Sequence, residues 1–146
     1  MSGVLRLIPD INVLISSVTS LKGPAYELYE AARRFNLLFV LCEQHFDELT
    51  RVLEYSQVLA LGEGRITPSI AFGLATELHR IGEYFARLER SSWPSCSDRD
   101  DWYLLDLLMT SRADGIVTRD RHLLSAGERL NLPIFPPSEW AKQIIS

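Results

Sequence analysis

Short apolar runs alternate with longer amphipathic segments along this chain of 146 residues. Continuous apolar runs predict strands, and apolar residues that recur every three or four positions predict helices. The predicted strands cover Val4–Ile8, Leu37–Leu41, Gly115–Thr118 and Leu132–Phe135. The predicted helices cover Asn12–Ser17, Pro24–Arg34, Glu43–Tyr55, Ile70–Leu88 with Thr67-Pro68 as its N-cap and first turn, Asp101–Arg112 and Pro137–Ile144. This alternation is typical of an α/β domain with a central, mainly parallel sheet flanked by helices. Because no repeat, low-complexity stretch or linker interrupts it, we expect residues 1–146 to form a single domain.

The composition is that of an ordinary globular protein. Hydrophobic residues make up 47% of the chain and charged residues 23%, which excludes a disordered protein. The longest apolar runs, such as Leu37–Cys42, are too short to cross a bilayer, and the N-terminus lacks a signal-peptide pattern. The two cysteines, Cys42 and Cys96, are too few for a disulfide scaffold and belong to no zinc-type cluster. We therefore expect a cytoplasmic protein with reduced thiols and no contact with membranes.

The charge balance argues against a protein that coats nucleic acid through broad electrostatic attraction. The chain has 15 basic and 19 acidic residues, giving a formal net charge of −4, whereas such proteins usually carry a basic excess. The basic residues are nevertheless almost all arginines, the only lysines being Lys22 and Lys142. Since arginine pairs with phosphate through two parallel hydrogen bonds, local phosphate contacts are still expected.

Carboxylates follow the predicted strands at the points where the strands end. In open α/β sheets, ligands bind beyond the carboxyl ends of the strands, so these positions are the candidates for a functional site. They are Asp10 and Asn12, then Glu43 and Glu48, then Asp98, Asp100 and Asp101, and finally Arg119, Asp120 and Arg121. The carboxylates among them are predicted to crowd one edge of the sheet.

Crowded carboxylates must either take up protons or bind a cation. Oxygen ligands suit Mg²⁺ or Mn²⁺, and such ions, held by a few carboxylates, commonly serve phosphate-ester chemistry. The sequence has neither a nucleophile elbow nor a glycine-rich phosphate loop. The residues therefore favour metal-dependent phosphate chemistry over covalent catalysis.

Four segments, in order along the chain, resemble those of PIN-domain proteins, which include the VapC-like toxins of toxin–antitoxin pairs. The segments are Asp10–Ser16, Glu48–Leu53, Cys96–Leu105 and Ala113–Leu124. The tail, Ile134–Trp140, also resembles the family's last strand and helix, so that the likeness spans nearly the whole chain. The resemblance implies a PIN-like fold and a metal-dependent endoribonuclease. In such an enzyme a metal-activated water cuts RNA and leaves a 5′-phosphate and a 3′-hydroxyl.

The resemblance places Asp10, Glu48, Asp101 and Asp120 on the acidic quartet of the family, where they would be catalytic and would hold Mg²⁺ or Mn²⁺. Thr118 and Asn12 fall on polar positions that support these acids. The third acid is ambiguous among Asp98, Asp100 and Asp101, and the spacing of Asp101 to the apolar residues of the next helix favours Asp101. Setting the quartet aside from the 19 acidic residues leaves 15, equal to the 15 basic ones, so the acidic total is compatible with an RNA substrate.

Several residues in and near the quartet have an ordinary interpretation beside the functional one. Asp10 is also placed to cap a helix, Asp98 and Asp100 to serve as loop and N-cap residues. Arg119 and Arg121 either contact substrate phosphates or are plain surface charges. Trp102 and Tyr103 either pack or offer a stacking face to a base. The histidines, His45, His79 and His122, are expected at the surface or partly buried.

Partners follow from the amphipathic stripe over Ile70–Leu88 and from the family. The stripe is predicted to be mainly core, with Phe72 and Tyr84 widening it into a surface for a homodimer or an antitoxin helix.

Three functions are compatible with these residues. The first is an endoribonuclease acting as a toxin, and the second is a PIN-like module that binds protein or RNA without cleaving. The third, a small Mg²⁺-dependent phosphatase, is disfavoured because Asn12 rather than a second aspartate follows Asp10.

Overall fold

All neighbouring strands of the central sheet run parallel, in the order β3-β2-β1-β4-β5. The structure is a computed structural model that describes residues 3–59 and 66–145, apart from the side chains of residues 55–59 and 145. The strands are β1 (Leu5–Pro9), β2 (Leu37–Cys42), β3 (Glu83–Phe85), β4 (Gly115–Val117) and β5 (Ile134–Phe135). The α/β class with a parallel sheet is confirmed.

Seven α-helices in the described residues connect and cover these strands. They are α1 (Ile11–Thr19), α2 (Pro24–Arg33), α3 (Glu43–Leu59), α4 (Pro68–Ile81), α5 (Trp102–Ser111), α6 (Arg121–Leu130) and α7 (Pro137–Ile145). A short 3-10 turn, Arg99–Asp101, leads into α5. Among the described residues, no helix combines the length and the apolar character needed to cross a membrane.

Alternate residues of the strands pack into two cores, one on each face of the sheet. Leu7 and Phe39 join the core that the sheet shares with α1, α2 and α4. Their neighbours Ile8 and Val40 join the core shared with α5 and α6. Burial on both faces explains why these strands are continuously apolar. It also leaves the carboxyl-terminal edge of the sheet as the place where polar side chains gather.

The predicted helix Ile70–Leu88 is wrong in its second half. Helix α4 ends at Ile81, and Gly82 to Phe85 turn into β3, which pairs with β2. A β-carbon at Gly82 would lie 2.5 Å from Cδ1 of Leu41, so the glycine allows the chain to pass close to β2. Glu83 then forms an ion pair with Arg6 at 2.8 Å. These tertiary contacts override a periodicity that would have continued the helix.

Helix α6 was not predicted. Its buried residues are Leu123, Ala126 and Gly127, and small residues give a weak apolar signal. A β-carbon at Gly127 would lie 2.8 Å from Cβ of Ile134, which shows how closely α6 approaches β5. The helix ends at Asn131, whose φ of 56° is left-handed, a conformation that asparagine tolerates.

Candidate metal centre

Asp10 lies directly after β1 and is buried, with 7% of its surface exposed. Its Oδ1 accepts a hydrogen bond from the Asn12 amide at 3.3 Å, so Asp10 caps helix α1. Its Oδ2 accepts a hydrogen bond from the Thr118 hydroxyl at 2.8 Å. Burial raises the pKa of Asp10, and the Thr118 hydrogen bond opposes that rise. The residue is therefore both a helix cap and a wall of the site, and Asn12 contributes its backbone amide.

Thr118 connects two acids that come from distant parts of the chain. Strand β4 pairs with β1 so that Val117 stands beside Pro9. Thr118, which follows, is fully buried. Its hydroxyl donates to Asp10 and accepts from the Asp120 amide at 3.0 Å. Asp120 itself caps α6 by accepting from the His122 amide at 2.9 Å. The supporting position predicted for Thr118 thus lies between the two predicted acids.

Asp101 has a buried carboxylate oxygen without a hydrogen-bond donor in the described part of the chain. This oxygen is Oδ2. Burial, followed by a hydrogen bond with the Asp120 carboxyl and by the charges of Asp120 and Asp10, raises the pKa of Asp101 to about 8. When no cation is present, the burial of Asp101 and the charges of these neighbours therefore disfavour its ionised form.

Glu48 faces the other acids from helix α3. Its carboxylate pairs with Arg51 at 2.6 Å, and its side chain is 24% exposed. Burial raises the pKa of Glu48, the Arg51 charge opposes this, and the charges of Asp100 and Asp10 add to the rise. Glu48 thus shares the electrostatic field of the site while its own hydrogen bond goes to Arg51.

The acids do not form a closed set of ligands in this structure. Within residues 3–59 and 66–145, no group of three or more histidine, cysteine or acidic side chains is arranged to hold a metal ion. Asp10 and Glu48 each engage a donor of their own, Thr118 and Arg51 respectively. The Asp101 oxygen described above instead lacks a donor among the described residues. A buried carboxylate oxygen without a donor, beside a second carboxyl, fits a hard divalent cation with oxygen ligands.

The other two candidates for the third acid lie outside this pair. Asp98 caps the 3-10 turn by accepting from the Asp100 amide at 3.0 Å, and both residues are exposed. This arrangement matches the loop and N-cap interpretation. Of the three, Asp101 is the one whose carboxyl meets Asp120.

Arg119 and Arg121 are exposed, and among the described residues neither forms an ion pair with a carboxylate. The Arg119 guanidinium donates to the Ser16 hydroxyl at 3.3 Å, on the α1 side of the site. Arg121 begins helix α6. The substrate contacts assigned to them stay a prediction.

The prediction for His45 is wrong, because its imidazole is completely buried. Its Nδ1 accepts from the Cys42 amide at 3.1 Å, so Nε2 carries the proton and donates to the Pro9 carbonyl at 2.8 Å. Burial lowers the pKa of His45 to about 4, and the ring is therefore neutral at ordinary pH. The imidazole ties the ends of β1 and β2 together directly before Asp10. Nothing in the sequence around a lone histidine signals this role.

Trp102 and Tyr103 are half-buried. The Trp102 indole donates to the Cys96 carbonyl at 2.9 Å. The Tyr103 ring meets His45 edge to face, with ring centroids 5.4 Å apart. Burial, then the charges of Asp10 and Glu48, raise the pKa of Tyr103 well above its usual value. The packing interpretation of these rings is confirmed, and Tyr103 also borders the acids.

The sequence matches the PIN domain family over residues 6–122. This match covers most of the chain and includes all four acids of the predicted quartet, so the chain belongs to the PIN domain family. The PIN domain is a nuclease superfamily, and its members generally depend on divalent metal ions. A comparison with curated proteins finds no match.

Proposed function

We propose that the protein is a metal-dependent endoribonuclease. The observation that carries the proposal is Asp101 at the carboxyl edge of the sheet. Its Oδ2 is buried without a donor among the described residues, and the nearby charges of Asp120 and Asp10 oppose its ionisation. Such an arrangement is unfavourable for stability alone and gains its purpose from a cation. Membership of a nuclease superfamily supports the same conclusion.

Asp10, Glu48, Asp101 and Asp120 would hold Mg²⁺ or Mn²⁺. The bound cation would supply Lewis acidity and positive charge for the attack of water on a phosphodiester. Thr118 holds the Asp10 carboxylate in place through the hydrogen bond described above. Because its surroundings raise the pKa of Asp101, a proton on this carboxyl competes with the cation for the same oxygens. His45 fixes the backbone that carries Asp10.

The test compares the wild-type protein with Asp10→Asn and Asp101→Asn on a mixed RNA pool with Mg²⁺, Mn²⁺ or EDTA. We expect cleavage that needs metal and is lost in both variants. Asp98→Asn is the matched control, because Asp98 is an exposed cap nearby, and it should retain most of the activity. Absence of cleavage together with absence of metal binding by calorimetry would overturn the proposal and favour the module that binds without cleaving.

We further propose that the protein is the toxin of a toxin–antitoxin pair and acts on cytoplasmic RNA. The support is the resemblance of its segments to VapC-like toxins. Expression in a bacterial host should arrest growth, and Asp101→Asn should abolish the arrest. Growth that is equal for both forms would contradict the toxin role.

An apolar groove between α3 and α4 supports a protein partner. Phe72 is 76% exposed and lines this groove of about 250 Å³ with Phe46, Leu49 and Leu53. We propose that an antitoxin helix or a second copy of the chain covers it. The mass of the protein in solution distinguishes these two occupants of the groove. It is measured for the wild type and for Phe72→Ser, with and without the product of a neighbouring small reading frame. A wild-type protein that stays monomeric and does not bind that product would contradict both.

A further inference from the structure

Strands β1 and β2 separate at the carboxyl edge of the sheet. In the described residues their mutual pairing ends at Leu7 and Phe39. Beyond this point β1 continues beside β4 as far as Pro9, and β2 continues beside β3 as far as Cys42. Since the acids gather at this edge, a group that spans the two strand ends also affects the placement of the acids.

The imidazole of His45 spans the two strand ends. Its Nδ1 accepts a hydrogen bond from the Cys42 amide at 3.1 Å, and its Nε2 donates to the Pro9 carbonyl at 2.8 Å. The ring is completely buried, and its two hydrogen bonds engage both nitrogens of the neutral imidazole. Because a close-packed interior leaves such a ring little freedom to shift, the ring sets the distance between the ends of β1 and β2.

His45 also connects the chain segments of Asp10 and Glu48. Pro9, whose carbonyl accepts the hydrogen bond from the imidazole, directly precedes Asp10. His45 itself lies three residues before Glu48 on α3, and side chains at that spacing are neighbours on one side of a helix. One side chain thus links the start of α1, where Asp10 stands, to the turn of α3 that carries Glu48.

The same ring packs against the segment of Asp101. The Tyr103 ring meets it edge to face, with ring centroids 5.4 Å apart. Tyr103 lies on the first turn of α5, two residues after Asp101, and it packs against the core that includes Cys42. Because an edge-to-face contact between rings is directional, it restricts the position of the first turn of α5 relative to His45.

The acids need a support of this kind, because they come from separate segments and repel one another. Asp120 is joined to Asp10 through the Thr118 hydroxyl, which contacts the carboxylate of one and the amide of the other. His45 complements Thr118, since it acts on the backbone and the helices that carry the remaining acids. Together the two side chains link all four segments of the quartet.

We propose that His45 is a positioning residue of the candidate metal centre, which holds Asp10, Glu48 and Asp101 in a fixed mutual placement from its position between β1 and β2. The imidazole does not bind the cation itself, because both of its nitrogens face backbone groups. Its effect passes through the three segments, and side chains that orient metal ligands in this way typically change metal affinity by about 10- to 100-fold. This inference rests on the proposed function, which supplies the cation that the acids would hold.

The experiment measures the affinity of the folded protein for Mn²⁺, by calorimetry at a temperature at which circular dichroism shows every variant to be folded. His45→Leu removes both hydrogen bonds and keeps an apolar side chain in the space. His45→Gln restores an amide that can donate to the Pro9 carbonyl. His79→Leu is the matched control, because the His79 ring also contacts a backbone carbonyl, that of Ala75 at 2.8 Å, but lies on α4, which carries none of the four acids.

We expect His45→Leu to weaken Mn²⁺ binding by about 10- to 100-fold and His45→Gln to recover most of that loss. His79→Leu should bind Mn²⁺ like the wild type. A side chain that only supports the core would lower the thermal stability of His45→Leu and leave the Mn²⁺ affinity of the folded protein unchanged, and that result would overturn the inference. An affinity of His45→Gln as weak as that of His45→Leu, or an equal loss in His79→Leu, would also overturn it.

A second comparison applies if His45→Leu does not fold. Tyr103→Phe keeps the ring that meets His45, and Tyr103→Leu removes it. We expect Tyr103→Phe to bind Mn²⁺ about two- to tenfold more tightly than Tyr103→Leu, which corresponds to the usual strength of a contact between two rings. Equal affinities of these two variants would contradict the inference.

Failure here is distinguishable from failure of the proposed function. Mn²⁺ binding and RNA cleavage by the wild type, together with unchanged affinity in the His45 variants, would overturn this inference alone. A wild-type protein that neither binds Mn²⁺ nor cleaves RNA would overturn the proposed function and this inference with it.

Discussion

Asp101→Asn should stabilise the protein in the absence of metal. Most replacements of a partly buried side chain destabilise a fold. Here the amide removes a carboxyl that repels Asp120 and Asp10 and whose Oδ2 has no donor among the described residues. The asparagine NH₂ group can instead donate to Asp120. The expected sign is therefore opposite to that of an ordinary substitution.

The size of the effect follows from the pKa of Asp101, which rises from 3.8 to about 8. At pH 7 this shift corresponds to at most about 4 kcal/mol of the free energy of unfolding. Because the carboxyl is partly exposed and screened by solvent, we expect about half of this, or about 2 kcal/mol. For a chain of this length that is an increase in Tm of about 6 °C.

The pH dependence has a definite sign. A raised pKa means that the folded state binds the proton more tightly, so the wild-type protein loses stability as the pH rises from 3.8 through about 8. The advantage of Asp101→Asn should therefore be small near pH 4 and largest at pH 8 and above. Thermal unfolding followed by circular dichroism in EDTA, at steps between pH 4 and pH 8, measures it.

Asp100→Asn is the matched control, since Asp100 is exposed and adjacent in sequence, and its Tm should change little. Adding Mn²⁺ should raise the Tm of the wild-type protein more than that of Asp101→Asn, because binding to the folded state stabilises it. A variant that is neutral or less stable than the wild type at pH 8 in EDTA would refute the reasoning about charge repulsion.

Three further predictions concern the supports of the site. Lowering the pH from 6.5 to 5 should destabilise the protein by about 2 kcal/mol through His45. The pKa of His45 is about 4 in the folded state, so the unfolded chain takes up the proton first. Urea unfolding at each pH measures this loss of stability. Thr118→Val should weaken Mn²⁺ binding by about 10- to 100-fold in calorimetry, since Asp10 loses its hydrogen bond. Gly115→Ala should reduce stability by about 3 kcal/mol in thermal unfolding, because its methyl group would collide with Trp140 and the chain before β5.

Each of these has a control within the chain. His122 is exposed, so His122→Ala should leave the acid dependence unchanged, whereas His45→Gln should flatten it. The Thr19 hydroxyl donates within its own helix, so Thr19→Val should keep the metal affinity. Gly73 has open space around it, so Gly73→Ala should be tolerated. A decrease as large in any control as in its test variant would contradict the structural explanation.

The main elements of the fold were predictable because their signals are local. Strands β1 and β2 are apolar runs buried on both faces, and the carboxylates that follow strands were predicted to share one edge of the sheet. Asp10 and Asp120 indeed meet there through Thr118. Features that depend only on the spacing of residues along the chain can be predicted from a single sequence.

What escaped prediction depends on contacts between distant segments. Strand β3 exists because Gly82 passes close to Leu41 and Glu83 pairs with Arg6. His45 is buried because the Pro9 carbonyl and the Cys42 amide face the same space. Neither arrangement has a spacing or composition that identifies it, so periodicity extended a helix across β3 and placed His45 toward the surface.

The hydroxyl of Thr118 has a consequence for the time at which the acidic centre first exists in a growing polypeptide. Asp10 leaves the ribosome early, but its partner Asp120 follows more than a hundred residues later, and the two meet only when β4 pairs with β1. A nascent chain thus carries separated carboxylates through most of its synthesis. The acidic centre can be complete only after Asp120 has been added to the chain and β4 has paired with β1.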